Sequence, residues 1–169
     1  MLLTALLTSL AAHAAPPLTI GFYAPYGVQP GLKLGTEVAL PGGLFMAPQI
    51  AAFTRLDNHN SAMLNLDVGY RHQGKGARYS AFSVGVAYLL SAQIVTESID
   101  LSTGEYTTTR ELRHYAVPTL NYELGWSLPA VDPYLKLSIG RKISPQVEDS
   151  MFFAVEIGLR FGSTSEMNR

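Results

Sequence analysis

The chain has 169 residues, 47% of them hydrophobic and 15% charged, with a formal net charge of -1 and no cysteine. One domain fits this length. The near-zero charge excludes nucleic acid as a partner and a polybasic membrane anchor, and the missing cysteine excludes disulfides, thiolate metal sites and cysteine nucleophiles.

In chain order, Met1 to Leu10 is almost wholly apolar or small, and Ala12-His13-Ala14 has the small-x-small form of a cleavage site. Residues 1–14 read as a signal peptide, although no Lys or Arg precedes the apolar run, and residues 15–169 as the folded domain. Beyond Pro17 the hydrophobic period is two, the period of strands. Leu18 to Tyr23 is the least patterned strand. Leu32, Leu34, Thr36, Val38 and Leu40 alternate with Lys33, Gly35, Glu37 and Ala39. In residues 44–55, Leu44, Met46 and Ile50 lie on one face and Gln49 and Arg55 on the other. The alternation is clearest in Leu64 to Arg71, Ala81 to Leu90, Leu120 to Ser127, Leu135 to Gly140 and Phe153 to Phe161. Turn residues separate these runs at Tyr26 to Gly31, Pro41 to Gly43, Asp57 to Asn60, Gln73 to Gly76, Ser102 to Gly104, Pro129 to Pro133 and Ser144 to Asp149. Seven connections give eight strands. An antiparallel up-and-down barrel is the expected fold, with both termini on one side.

Alternation alone does not say which face is outside. A soluble lipocalin-like binder buries its apolar face; a membrane barrel turns it to lipid. Glycine phase decides between them. Gly35, Gly69, Gly85, Gly125, Gly140 and Gly158 all fall in phase with the charged and small residues. A strand glycine forgoes packing and needs a reason, and the crowded interior of a narrow barrel supplies one. The interior then carries Lys33, Glu37, Asp67, Arg71, Glu123, Lys136, Glu156 and Arg160, four charges of each sign. Buried charges persist when paired, so a structural ion-pair network in the lumen is expected. The apolar face carries Tyr70, Tyr88, Tyr122, Trp126 and Phe161, as an interfacial girdle requires.

The last strand, ending Glu156-Ile157-Gly158-Leu159-Arg160-Phe161, resembles the C-terminal insertion signal of outer-membrane barrels, with the difference that Gly162 to Arg169 follow the aromatic residue. With its strand number and turn alternation, the chain resembles the small eight-stranded β-barrels of the bacterial outer membrane. That resemblance implies a location and a fold, with outer-membrane lipid around it, but no reaction and no cofactor.

Residues 79–99 and 106–127 are about twice the 9–11 positions that a tilted strand needs to cross a bilayer. The excess, with Glu97, Asp100, Tyr106 and Arg110 at its tip, reads as a projecting hairpin whose free edges can take a strand from a protein partner. His59-Asn60-Ser61 is read as an outward turn and His72 as lying in a periplasmic turn. The His59–Ser61 pair resembles the His–Ser pair of lipid A deacylases, with Ala62 where those enzymes carry Asn. Asp57 and His59 supply two metal ligands where a site needs three or four. The expected function is structural or surface-interacting, without catalysis; the alternatives are a narrow porin-like channel and a lipid A-modifying hydrolase.

Overall fold

A computed structural model describes residues 16–55, 59–99, 102–145 and 148–162, and the expected signal peptide lies outside them. The elements are β1 (Leu18–Pro25), β2 (Gly31–Thr36), β3 (Val38–Ala39), β4 (Leu44–Arg55), β5 (His59–Gln73), β6 (Arg78–Ile99), β7 (Tyr106–Trp126), β8 (Val131–Lys142) and β9 (Ser150–Phe161). A 3-10 turn at Pro41–Gly43 joins β3 to β4. Pairing is antiparallel throughout, and β1 pairs with β9 from Leu18↔Phe161 to Pro25↔Ala154. That ladder closes the sheet and removes its edges, so backbone groups are satisfied within the wall.

β2 and β3 both pair with β4 in one register, Gly35↔Gln49 and Val38↔Met46. They are a single wall strand interrupted at Glu37, and the wall therefore has eight strands. At the interruption the Glu37 amide donates to the Pro17 carbonyl (3.2 Å), as does the Thr36 hydroxyl (3.0 Å). Ala39, inward by alternation, is exposed because the strand has reached the rim. The least patterned segment, β1, is paired along both edges and is the element that closes the barrel.

Three turn assignments are corrected. His59 and Asn60 belong to β5, because the β4–β5 ladder continues to Arg55↔His59, with the Thr54 hydroxyl donating to Asn60 Oδ1 (2.9 Å). His72 belongs to the end of β5, opposite Ser80. Asp132 and Pro133 belong to β8; the Asp132 carboxylate accepts the Leu128 amide (3.1 Å), which tightens the turn. Pro133 pairs only with β9, the β7–β8 ladder beginning at Gly125↔Tyr134, so its missing N–H is absent from that ladder.

The outer face is a continuous apolar belt. Leu18, Ile20, Leu34, Leu64, Val84, Leu120, Leu137 and Ile157 are all exposed, Leu64 and Ile157 by 60% and 61%. Water would not tolerate so large an apolar surface on a soluble domain. At the end where β1 begins and β9 stops, Tyr70, Phe82 and Tyr122 stand at one level, paired across three strands. Trp126 and Phe161 lie near the same end, both on the outer face.

Candidate functional site

The inward side chains fill the lumen in layers. The lowest layer, nearest the start of β1 and the end of β9, is an arginine–glutamate lattice. Arg71 grips Glu37 with both guanidinium nitrogens (Nη2 to Oε2 2.6 Å) and reaches Glu123 (3.6 Å). Arg160 contacts Glu37 (3.2 Å) and Glu123 (2.8 Å). Tyr79 sits between them: its hydroxyl accepts from Arg160 (2.7 Å) and donates to Glu123 (3.0 Å). Its ring lies under both guanidinium groups, at 4.8 and 5.6 Å. Among the described residues the Nε atoms of Arg71 and Arg160 have no hydrogen-bond partner, so planar stacking replaces part of the polar satisfaction.

Above it, Lys136 pairs with Asp67. The same carboxylate accepts from Asn65 (3.0 Å) and Asn121 (3.1 Å). Lys33 pairs with Glu156 (3.0 Å), which also accepts the Tyr134 hydroxyl (2.6 Å). All eight residues expected in the lumen thus point inward and meet in two groups: Glu37, Arg71, Glu123 and Arg160 below, Asp67 with Lys136 and Lys33 with Glu156 above. Asp132, not singled out from the sequence, is a further buried charge, whereas Arg71 is only half-buried.

The glycines serve rings as well as charges. A Cβ at Gly125 would strike the Tyr79 ring and one at Gly158 the Tyr134 ring, whereas Gly85 makes room for the Asp67 carboxylate and Gly21 for Glu156. Sequence reasoning assigned that space to charges alone; two tyrosines laid over glycines carry much of the lower packing.

The outer half of the lumen is different. Tyr23, Ala51, Phe53, Met63, Ala87, Leu89, Tyr115, Val117, Phe152 and Ala154 form a buried apolar cluster inside the barrel. Alternation placed Leu89 inward, but an apolar plug was not expected. Tyr26, in the β1–β2 loop, caps it with φ of 54° and packs edge-on against Phe152 (5.8 Å between centroids). Burial pushes its hydroxyl up to about 12, so it stays a neutral donor, bonded to the Met151 carbonyl (3.2 Å).

Ser61 faces the mouth of this half and its hydroxyl donates to Ser91 (2.9 Å); the His59 side chain and Asp57 lie outside the described residues. His114 meets the Tyr88 hydroxyl (2.6 Å) on the outer face. Above the mouth, β6 and β7 run on together. The β5–β6 ladder ends at His59↔Gln93, and β8 reaches β7 no farther than the bridge Ala116↔Ile143. From Ile94 to Ile99 and from Tyr106 to Arg110 the two strands form a ribbon, bulged between Ile94 and Thr96, whose edges pair with no other strand among the described residues. Arg110, Thr107 and Thr108 are exposed on it; the side chains of Glu97 and Tyr106, and all of Asp100, lie outside the described residues.

The closed wall, inward charges and apolar belt match known architecture. The crystal structure of Neisserial surface protein A superposes with a TM-score of 0.58 at 7% identity, over 86% of this chain and 94% of that one. The N-terminal β-barrel domain of Pseudomonas aeruginosa OprF superposes with a TM-score of 0.54 at 14% identity, over 88% of this chain and 100% of that one. This is an eight-stranded β-barrel of the outer-membrane type. The barrel crosses its bilayer with strands, as bacterial outer-membrane proteins do. No family model matches it, and no curated protein matches it in sequence.

Proposed function

We propose that this barrel is a closed, non-catalytic platform of the outer membrane that presents the β6–β7 ribbon to a protein partner, which docks by adding a strand to its open edge. The observation that carries the reading is the edge of β7 from Tyr106 to Tyr115, which pairs with no strand but β6 among the described residues, β8 reaching no farther than Ala116. Main-chain donors and acceptors on an open edge supply affinity without side-chain specificity. At about 3.3 Å per residue, Ile94 to Ile99 extend the ribbon roughly 20 Å past the ladder with β5.

A filled lumen argues against conduction. An eight-stranded interior is just wide enough for side chains, and here ion pairs below and rings above occupy it. Purified barrel in planar bilayers should carry no stable current; large steady currents would reverse this assignment. The hydrolase reading gains nothing from Ser61, whose hydroxyl faces the lumen mouth while lipid meets the opposite face. Removing residues 97–110 is the direct test of the ribbon. Surface partners recovered with the intact barrel from detergent-solubilised outer membranes should be lost, while heat-modifiable gel mobility of the barrel persists. Recovery of the same partners by the shortened barrel would sink the proposal.

A further inference from the structure

The apolar plug does not fill the lumen to its outer rim. Above it lies a cavity of about 440 Å³, open at the outer end, a volume in the range of small-molecule sites. Its floor is apolar, formed by Phe53, Leu89 and Phe152. Its walls are polar and unbalanced. On one side Ser61 and Gln93 both donate to the Ser91 hydroxyl (2.9 and 3.4 Å), and Gln93 also donates to the Tyr115 hydroxyl (3.3 Å). Ser61 and Ser91 share one hydroxyl–hydroxyl bond, which leaves one of their two protons over, and Tyr115 accepts from Gln93 and bonds Arg113, which leaves its own hydroxyl proton for a ligand. On the other side Lys142, half-buried, holds its ammonium 5.1 Å from the Tyr26 ring centre and 5.2 Å from that of Tyr115.

Among the described residues no carboxylate pairs with Lys142. The neighbouring acid, Asp149, is taken by Arg141 (2.9 Å). This contrasts with the lumen below, where all four cations have carboxylate partners. The mouth therefore gathers one cation with no carboxylate partner among the described residues and a set of hydroxyl donors around an apolar floor, while Arg113, which also reaches the Tyr115 hydroxyl, is answered by Glu111. The complement of that set is a single negative charge rich in acceptors, attached to an apolar body. A dianion would be undercompensated by one ammonium, and a neutral body would leave the cation unanswered.

We infer that this mouth cavity binds a small monocarboxylate with an apolar body, the carboxylate on Lys142 and the hydroxyls of Ser91 and Tyr115, the body on Phe53, Leu89 and Phe152. The site is independent of the ribbon and stands whether or not the ribbon takes a partner.

The test uses the full barrel in lipid nanodiscs and isothermal titration with 4-phenylbutyrate, its neutral amide and the corresponding phenylbutylammonium. The carboxylate should bind saturably, and the amide at least about tenfold more weakly, because a charge-assisted hydrogen bond is worth enough for a tenfold change in Kd. The ammonium should not bind. Lys142→Met should weaken the carboxylate about tenfold and erase its advantage over the amide. Leu89→Trp, which fills the floor, should abolish binding of both. No saturable binding of the carboxylate to the unmodified barrel, or equal binding of acid and amide, would overturn the inference without any variant having to fold. A Lys142→Met barrel with normal heat-modifiable mobility and unchanged affinity would overturn it as well.

Discussion

In the lower lumen each cation meets a carboxylate, and Asp67, Glu123 and Glu156 each accept a further hydrogen bond from an uncharged neighbour while Glu37 is shared by two arginines; in the upper lumen the side chains of Phe152, Val117 and Leu89 are buried and apolar. Both halves lie inside the same wall and share its two-residue alternation. Below, the strands deliver long charged side chains, with glycines opposite to receive them or the tyrosines that bridge them. Above, they deliver rings, methionine and alanine. The lower half derives its rigidity from mutual compensation: each group is stable only because its partner is present. The upper half derives its cohesion from additive burial, which degrades gradually. The difference also explains why the cavity lies at the top. An ion-pair lattice collapses if a member is missing, whereas an apolar plug can stop short of the rim and leave room above.

Substitutions in each half sharpen this contrast. Asp67→Ala is expected to have the largest effect, since it strands Lys136 and takes one acceptor each from Asn65 and Asn121. A loss of about 3–5 kcal/mol is expected, read by urea unfolding in lipid vesicles. The double variant Asp67→Leu with Lys136→Met should recover most of it. A double as unstable as the single would show that the two do not act as a pair. Phe152→Ala in the upper half should cost about 3 kcal/mol by the same measurement, through lost burial and a residual cavity. A companion change should not rescue it except by refilling the volume. A loss below about 1 kcal/mol would mean that the plug collapses freely and is not packed like a protein interior. The smallest effect belongs outside both halves. Arg113 and Glu111 pair at 3.0 Å on the exposed wall above the mouth. Glu111→Ala should leave the unfolding midpoint nearly unchanged by the same measurement, and whatever it changes should vanish in high salt.

Much of this was legible in the residue order. Glycine phase separated lumen from lipid, because a missing side chain is tolerated only where another side chain or a ring needs the space. The eight lumen charges were found for the same reason. Their partners were not. In the β-ladders Lys136 lies directly opposite Glu123 on one side and Glu156 on the other, and adjacency would assign it to either. Instead it crosses the lumen to Asp67, leaving Glu123 to the arginines and Glu156 to Lys33. Asp57 to Asn60 misled in the opposite direction. A cluster of turn-forming residues reads as a loop, but pairing with β4 carries His59 and Asn60 into the wall.

Residue order by itself determined the alternation, the face of each strand and hence the choice of lipid over water for the apolar side, since strand periodicity is local and survives without knowledge of the neighbours. Only the tertiary structure decided which charges meet, that the outer lumen is plugged by rings and that an unanswered lysine is left at its mouth. Those depend on closure, when β1 joins β9 and strands far apart in the chain face one another across a space that a linear pattern does not contain.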